Sequence, residues 1–356
     1  MAANITYHEQ TDMDNIRKLR EVLKTLPAFA KDYFRAIEPT TSTKTRISYA
    51  YDIRIFFQFL ISQNPSLAKI GIPNLNVSVL DQLKPIDIEE YMEYLKLYDS
   101  PNDQTTITNG ERGLKRKISS LRSFYTYYYK RQAIKTNPVQ LVDMPKIHDK
   151  AIIRLDAGET AALLDYIEHC GDQLTGQRKA YYEKTKLRDL AIVTLLLGTG
   201  IRVSECVGLD VEDIDFRNNG IRLIRKGGSE MVVYFGPEVE KALKDYLEAR
   251  KAISPLEGHE HALFYSTQRK RIGVQAVENL VKKYARAITT TKKITPHKLR
   301  STYGTTLYQE TGDIYLVADV LGHSDVNTTR KHYAAIAEDH RRIAAQKTVL
   351  REEPVH

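Results

Sequence analysis

The stretch Leu321-Gly-His-Ser-Asp-Val-Asn-Thr-Thr-Arg-Lys-His-Tyr333 decides which fold the chain is expected to have. His323 follows a glycine turn and precedes a predicted helix, and Tyr333 lies ten residues further on. A tyrosine hydroxyl can attack an electrophile and form a covalent intermediate when neighbouring groups activate it. Because the chain has 22 tyrosines, Tyr333 becomes a candidate nucleophile only through the residues that accompany it.

The nearest accompanying segment upstream is Thr295-Pro-His-Lys-Leu-Arg300. Thr295 as N-cap and Pro296 as first helical residue predict a helix start. His297 and Arg300 are three residues apart, so they share a face near the positive end of that helix. This arrangement is typical of an anion site.

Two segments further upstream supply more cations. In Gly198-Thr-Gly-Ile-Arg-Val-Ser-Glu205 a predicted helix ends in glycines and restarts at Arg202, whose planar guanidinium can hold two phosphate oxygens. Lys226 lies with two glycines at the tip of a hairpin predicted from the strands 220–224 and 231–235. An ammonium held there could protonate a leaving alkoxide.

In this order and spacing, the candidate residues resemble the signature of the tyrosine recombinase (phage integrase) family: Arg202, Lys226, His297, Arg300, His323 and Tyr333. Within the family the chain is most similar to Xer recombinases of the stand-alone XerS type. The resemblance covers the whole chain. One position departs from it, because many relatives have histidine directly after the second arginine and this chain has Ser301.

The resemblance implies an enzyme that cleaves and rejoins double-stranded DNA through a 3′-phosphotyrosyl link, with Tyr333 as nucleophile. Arg202, Arg300 and His323 would contact the nonbridging oxygens, Lys226 would protonate the 5′ oxygen, and His297 would accept or place the tyrosine proton. Glu205 would support the site. The resemblance implies no metal and no cofactor. It also implies a homo-tetramer on two DNA sites, with an FtsK-type translocase as a candidate partner.

The expected fold is mainly α with a small antiparallel sheet, in which a helical core-binding domain is followed by a mixed α/β catalytic domain of the tyrosine recombinase type. The expected divisions are an N-terminal helical extension (1–40), a SAM-like core-binding domain (41–135), a linker (136–152), the catalytic domain (153–338) and a C-terminal helix or tail (339–356). That tail would dock on its own domain or on a neighbouring protomer.

Helical periodicity predicts the elements around these motifs. The predicted helices cover about 12–35, 43–62, the residues after Pro85, 108–131, 157–169, 188–198, 237–251, 274–287, 296–311, 314–321 and 326 onward. Within 43–62 the expected buried side chains are Ile47, Tyr51, Ile55, Phe56 and Leu60. Residues 171–184 are polar with few core candidates.

Charge is concentrated in one predicted helix. The formal net charge is +8, and residues 112–140 contain eight basic residues and no acidic one. On the helix at 108–131 the apolar side chains Leu114, Ile118, Leu121, Tyr125 and Tyr128 define a core face. The opposite side carries the candidate DNA contacts Arg112, Lys115, Arg116 and Arg122, as a helix lying along phosphates requires.

Composition excludes several other classes. No apolar run approaches the roughly 18 residues of a membrane span, and the polar N-terminus is unlike a secretory signal. Two cysteines cannot build a disulfide framework or a zinc cluster, so we expect a cytoplasmic protein without membrane contact. A metal-dependent nuclease fits poorly because the histidines lack carboxylates at ligand spacing.

Some alternatives stay open at this point. Chromosome dimer resolution at a dif-like site and integration or excision of a mobile genetic element would use the same residues. A type IB topoisomerase would use the same chemistry without partner exchange, and a DNA-binding protein with an inactive site would keep the fold alone.

Overall fold

The computed structural model describes residues 6–100, 105–148, 152–225, 229–322 and Val326. Lys226, His323, Tyr333 and the tail at 339–356 lie outside the described residues, so the predictions for them are not addressed by the structure. The chain divides into two compact units, Met1–Lys150 and Ala151–His356. Among the helices that the structure describes, none is both long and apolar enough to cross a bilayer.

The first unit is helical with one small hairpin. Its helices are α1 (Tyr7–Lys24), α2 (Ala30–Ala36), α3 (Thr43–Gln63), α4 (Pro65–Ile70), α5 (Pro85–Tyr94), α6 (Glu111–Lys130) and α7 (Pro138–Leu141). Short 3₁₀ turns lie at Glu38–Thr40, Ile72–Asn74 and Val77–Gln82. Strands β1 (Leu97–Asp99) and β2 (Thr106–Thr108) pair antiparallel, with Tyr98 opposite Ile107.

The core of this unit is rich in aromatic rings that come from α2, the segment before it, α3, α5 and α6. Phe124 on α6 meets Tyr128 edge-to-face with ring centroids 5.0 Å apart, and Phe56 on α3 meets Tyr91 at 5.2 Å. The predicted core face of α6 is confirmed, since all five of its apolar side chains are buried. Such rings bury large areas each and make the main contribution to the stability of this core.

Two predictions for the first unit were wrong in detail, and one element was missed. The helix predicted over 12–35 is two helices, because Pro27 lies between α1 and α2 and cannot donate to a continuing helix. On α3, Tyr51 is 39% exposed rather than buried, and its ring lies under the Arg54 guanidinium instead. The hairpin of β1 and β2 was not predicted, because each strand has only three residues.

The second unit is mixed. Its helices are α8 (Ala157–His169), α9 (Gly176–Thr199), α10 (Val203–Gly208), α11 (Pro237–Arg250), α12 (Val274–Ile288), α13 (Pro296–Thr311) and α14 (Ile314–Leu321), with 3₁₀ turns at Cys170–Gln173 and Val211–Asp213. Its strands are β3 (Ile214–Asp215), β4 (Gly220–Ile224) and β5 (Glu230–Tyr234). The fold class is mainly α with small antiparallel sheets, as predicted.

The central helix of this unit is α9, which packs against α8, α11 and α13. Its second half is buried nearly all round, as the apolar stretch 188–198 predicted. The polar stretch 171–184 has few buried side chains, as predicted, and most of it forms the exposed first half of the same helix, which was not predicted. There Tyr182 and Thr185 face inward, three residues apart.

The sheet of the second unit has the order β3-β4-β5, and both pairings are antiparallel. Arg222 pairs with Val232 and Ile224 with Glu230, so the predicted hairpin is confirmed, while the two-residue β3 was missed. Immediately after β4, the N–H of Arg225 donates to the carbonyl of Ser229 at 2.8 Å. This bond brings the two ends of the hairpin tip together.

Candidate active site

Arg202 lies at the start of α10, where the glycine turn predicted it. Its backbone N–H donates to Glu205 Oε2 at 2.7 Å and its Nη1 donates to Glu205 Oε1 at 2.7 Å. The Glu205 side chain is buried, whereas that of Arg202 is 39% exposed. The carboxylate therefore fixes both ends of the arginine while leaving part of its guanidinium accessible.

The turn between α9 and α10 depends on Gly200, which ends α9 with a φ of +62°. A Cβ at this position would lie 2.3 Å from Cδ1 of Tyr303 on α13. Only glycine combines the left-handed conformation with this close approach. The position of Arg202, two residues further on, is thus tied to the packing of α13.

Arg300 lies on α13 and is almost completely buried. Its Nη1 donates to the carbonyl of Gly200 at 2.5 Å, and its Nη2 donates to the carbonyl of Leu321 at the end of α14. The helix start at Thr295 and Pro296 is as predicted. His297 lies on the first turn of α13 and is exposed, and its carbonyl accepts from Ser301 Oγ at 3.1 Å. The serine that departs from the family pattern thus bonds within its own helix.

Three guanidiniums, which we call the arginine cluster (Arg202, Arg225 and Arg300), donate to the last turn of α14. Arg202 Nη2 reaches the carbonyl of Gly322 at 3.1 Å, and Arg225 Nη2 reaches that of Val320 at 2.7 Å. The carbonyl end of a helix carries the negative end of its dipole, so it attracts cations. The cluster brings the two predicted phosphate-binding arginines onto one helix end.

Arg225 was not among the predicted site residues. Burial lowers its pKa, and the nearby charge of Arg202 lowers it further, whereas Glu205 and Asp319 raise it. The only sequence signal was its position beside Lys226 at a hairpin tip, and its neighbours in the structure come from a distant helix.

The structure thus brings together Arg202, Glu205 and Arg300 and adds Arg225. Lys226, His323 and Tyr333 fall on segments for which the structure gives no description, so their roles stay predictions. Within the described ranges, no group of three or more histidine, cysteine or acidic side chains is arranged to hold a metal ion.

The predicted DNA-binding side chains on α6 differ in their exposure and in the groups that they bind. Arg112 is exposed and Lys115 is partly exposed. Arg116 pairs with the buried carboxylate of Asp52 while 47% of its own side chain is exposed. Arg122 is partly buried and its Nη2 donates to the carbonyls of Val139 and Val142, at 3.1 and 2.9 Å. Arg122 therefore holds the segment that follows α6, in addition to any role at the surface.

Comparison with known proteins gives a consistent picture. The phage integrase family model matches residues 154–340, which is more than half of the chain. The chain is 33% identical to the tyrosine recombinase XerC of Caldanaerobacter subterraneus subsp. tengcongensis over 346 residues, covering 94% of this chain and 90% of the relative. It is 30% identical to the tyrosine recombinase XerS of Streptococcus uberis over 355 residues, covering 93% of this chain and 98% of the relative.

A solved structure with a similar fold is the XerH site-specific recombinase bound to a palindromic difH substrate in a post-cleavage complex. Its TM-score is 0.62 at 18% identity, covering 86% of this chain and 80% of that chain. The predicted resemblance is confirmed by the family model and by the two sequence relatives. The chain therefore belongs to the phage integrase family and is a tyrosine site-specific recombinase, an enzyme that breaks and rejoins DNA.

Proposed function

We propose that this recombinase is of the Xer type and resolves chromosome dimers at a dif-like site. The observation that carries the proposal is the similarity to XerC and XerS along more than nine-tenths of the chain. A dif-type site is proposed because the XerH recombinase, which has a similar fold, was solved with a difH substrate. The division into a core-binding domain at 41–135 and a catalytic domain at 153–338 belongs to the same proposal.

The arginine cluster supports the chemistry. Arg202 and Arg300 would bind the nonbridging oxygens of the scissile phosphate, with His323 donating to one of them. Positive charge and N–H donors placed in advance stabilise the charge that develops in the transition state. The buried Glu205 carboxylate supports this role because it orients the Arg202 fork through Nη1.

In the covalent step the scissile phosphate moves from the 5′ oxygen of the DNA to Tyr333. The Tyr333 Oη–phosphorus bond forms as the bond from phosphorus to the 5′ oxygen breaks. Lys226 gives a proton to the departing 5′ oxygen, and His297 accepts the tyrosine proton. The 3′-phosphotyrosyl ester keeps the bond energy, so the freed 5′ hydroxyl of a partner strand can reverse the step.

Assembly is part of the proposal. Strand exchange needs two duplexes, so we infer a homo-tetramer on two DNA sites, with an FtsK-type translocase as a candidate regulator. DNA contacts would come from Arg112, Lys115, Arg116 and Arg122 of α6, whose cations suit a phosphate backbone. The tail at 339–356 would dock within its own protomer or on its neighbour.

The test is covalent trapping. Wild type and Tyr333→Phe are incubated with nicked suicide duplexes carrying dif-like sites, and protein–DNA adducts are separated on a denaturing gel. We expect an adduct in wild type that Tyr333→Phe abolishes. Adducts that persist in Tyr333→Phe would contradict the assignment of Tyr333 as the nucleophile.

A second arm separates the two biological roles. The same duplexes are compared with duplexes carrying the joined ends of mobile elements, and a plasmid with two directly repeated dif-like sites is assayed for resolution into two circles. Resolution at dif-like sites supports the proposal. Adducts formed only on mobile-element ends would replace it by the integrase role.

A further inference from the structure

Arg225 connects two parts of the second unit that are far apart in sequence. It directly follows β4, and its backbone N–H closes the hairpin against Ser229. Its side chain crosses to α14, where Nη1 donates to the carbonyl of Asp319 at 3.4 Å and Nη2 to that of Val320 at 2.7 Å. The guanidinium thus spans two successive carbonyls of a helix about 95 residues downstream.

Gly322 gives an independent observation of the same contact. It ends α14 with a φ of +59°, and a Cβ there would lie 1.5 Å from Arg225 Nη1 and 2.3 Å from Arg225 Cζ. The guanidinium therefore packs directly against the glycine backbone. A side chain at 322 would have to displace Arg225, whatever its chemistry.

We propose that Arg225 is a positioning residue whose guanidinium fixes the end of β4 against the last turn of α14. The chain leaves β4 toward Lys226 and leaves α14 toward His323. Fixing the end of β4 against the end of α14 sets the two points from which the chain continues to Lys226, the predicted proton donor, and to His323, the predicted phosphate ligand. This inference rests on the roles given to Lys226 and His323 in the proposed function.

Arginine fits this positioning task better than lysine would. A planar guanidinium presents parallel donors that can reach two neighbouring carbonyls at once, whereas an ammonium is a point donor on a flexible stem. The Arg225 guanidinium donates to two carbonyls of α14. Arg225 therefore binds backbone, whereas the guanidinium of Arg202 is also held by the carboxylate of Glu205.

Strand β4 also provides a matched control. Arg222 lies three residues earlier on β4, its side chain is 56% exposed, and its Nη2 donates to Asp213 Oδ1 at 3.1 Å. Arg222→Ala removes the same type of side chain from the same hairpin without removing a contact with α14. It is expected to leave cleavage unchanged.

The decisive experiment replaces the 5′ bridging oxygen of the suicide duplex by sulfur. A thiolate leaves without protonation because thiols are far more acidic than alcohols, so the sulfur substrate does not need a placed proton donor. We expect Arg225→Ala to slow adduct formation on the oxygen duplex by about 100-fold, the scale of a general acid. On the sulfur duplex the loss is expected to be clearly smaller, because sulfur removes the need for Lys226 but not for His323.

Other variants separate positioning from direct contact with the phosphate. Gly322→Ala should also lose more on the oxygen duplex than on the sulfur duplex. Adding Arg225→Ala to it should slow cleavage no further, because Gly322→Ala already removes the Arg225 contact. An equal loss on the oxygen and sulfur duplexes, or no loss on either, would overturn the proposal. If Arg225→Ala does not fold, Arg225→Lys and Gly322→Ala carry the same comparison.

A measurement without DNA keeps this inference separate from the proposed function. The Gly322 amide donates to the carbonyl of Asp319 at 2.7 Å, and loss of the Arg225 contacts should speed its hydrogen exchange. We expect faster exchange at the end of α14 in Arg225→Ala than in Arg222→Ala. Equal exchange in the two variants would overturn the proposal even if wild type cleaved DNA, and failure of wild type to cleave would instead count against the proposed function.

Discussion

Arg300 Nη1 donates to the carbonyl of Gly200 at 2.5 Å, so a buried guanidinium of α13 holds the turn that leads to Arg202. The other end of the same guanidinium holds the carbonyl of Leu321 on α14. Arg300 therefore has a structural task in the protein without DNA besides its predicted task at the phosphate. The two tasks can be measured separately, as stability and as cleavage.

Arg300→Lys should impair both tasks. Lysine cannot reach Gly200 and Leu321 together, and a buried carbonyl that loses its donor costs about 1–3 kcal/mol of unfolding free energy. Loss of the fork at the phosphate should slow adduct formation by about 100-fold or more. Urea unfolding and single-turnover trapping measure the two effects, and Arg222→Lys is the control. A variant with wild-type stability would contradict the structural contacts.

Gly200→Ala should disturb the position of Arg202. The left-handed backbone costs alanine about 1–2 kcal/mol, and the new Cβ would also collide with the ring of Tyr303. Gly312→Ala is the matched control, because Gly312 ends α13 with a φ of +67° and has open space around a Cβ. We expect both variants to lose stability, and only Gly200→Ala to lose cleavage.

The collision can be tested directly. Tyr303→Ala removes the ring, so the double variant with Gly200→Ala should lose less stability than the sum of the single variants. Additive losses would mean that the ring does not oppose the new methyl group.

The α6 arginines should divide into two kinds. Arg112→Ala should lower the salt dependence of DNA binding by about one unit of slope without changing stability. Arg122→Ala should also destabilise the protein by about 1–3 kcal/mol, because the carbonyls of Val139 and Val142 lose their donor. Fluorescence anisotropy at several salt concentrations and urea unfolding check both. Equal stability of the two variants would contradict the role of Arg122 in holding the segment after α6.

Asp52 should make the unfolding free energy of the protein depend on pH. Burial raises the pKa of Asp52 above its ordinary value of 3.8, against the lowering effect of Arg116 and Lys117. A carboxyl whose pKa is higher in the folded state binds its proton more tightly there. The unfolding free energy therefore falls as pH rises from that ordinary value through the folded pKa, and this contribution is constant above it.

Asp52→Asn should remove this part of the slope, because asparagine does not titrate. Urea unfolding over about pH 3.5 to 7 measures the change, with the exposed Glu21→Gln on α1 as control. A slope that Asp52→Asn leaves intact would show that other carboxyls cause it.

The thiol of Cys206 should be inert in the folded protein. Burial raises its pKa to about 12, and only the thiolate is a strong nucleophile. We expect iodoacetamide at neutral pH to label Cys206 only after urea unfolding, as read by mass spectrometry. Cys206→Ser, which leaves Cys170, identifies the peptide, and rapid labelling of the native protein would contradict this burial.

Local patterns predicted much of the second unit. A capping residue followed by proline defined the start of α13, and glycine marked the ends of α9 and α14, because these signals act within one turn of backbone. The prediction that residues 171–184 supply few core side chains is confirmed, but the helix that begins at Gly176 was missed. In its first half only Tyr182 and Thr185 are buried, so the apolar period is too sparse to detect.

Sequence motifs predicted candidate site residues one by one but not their arrangement. Motif spacing selected Arg202 and Arg300, whereas the importance of Arg225 comes from carbonyls of α14 that no local pattern connects to β4. Backbone carbonyls occur in every residue, so a sequence gives no sign of which ones will accept from a distant guanidinium. Tyr51 was misplaced similarly, because the helical period cannot show that a neighbouring arginine will cover a ring at the surface.

The attachment of the arginine cluster to α14 has a consequence for mutational maps of this enzyme. The helix has eight residues and packs through Val317 and Leu321 against Tyr308. A cavity under it would shift the acceptors of all three guanidiniums together. A screen for lost cleavage should therefore find substitutions such as Val317→Ala as well as substitutions of the arginines themselves. The valine side chain has no polar atom that could bind DNA, so its effect would pass through α14.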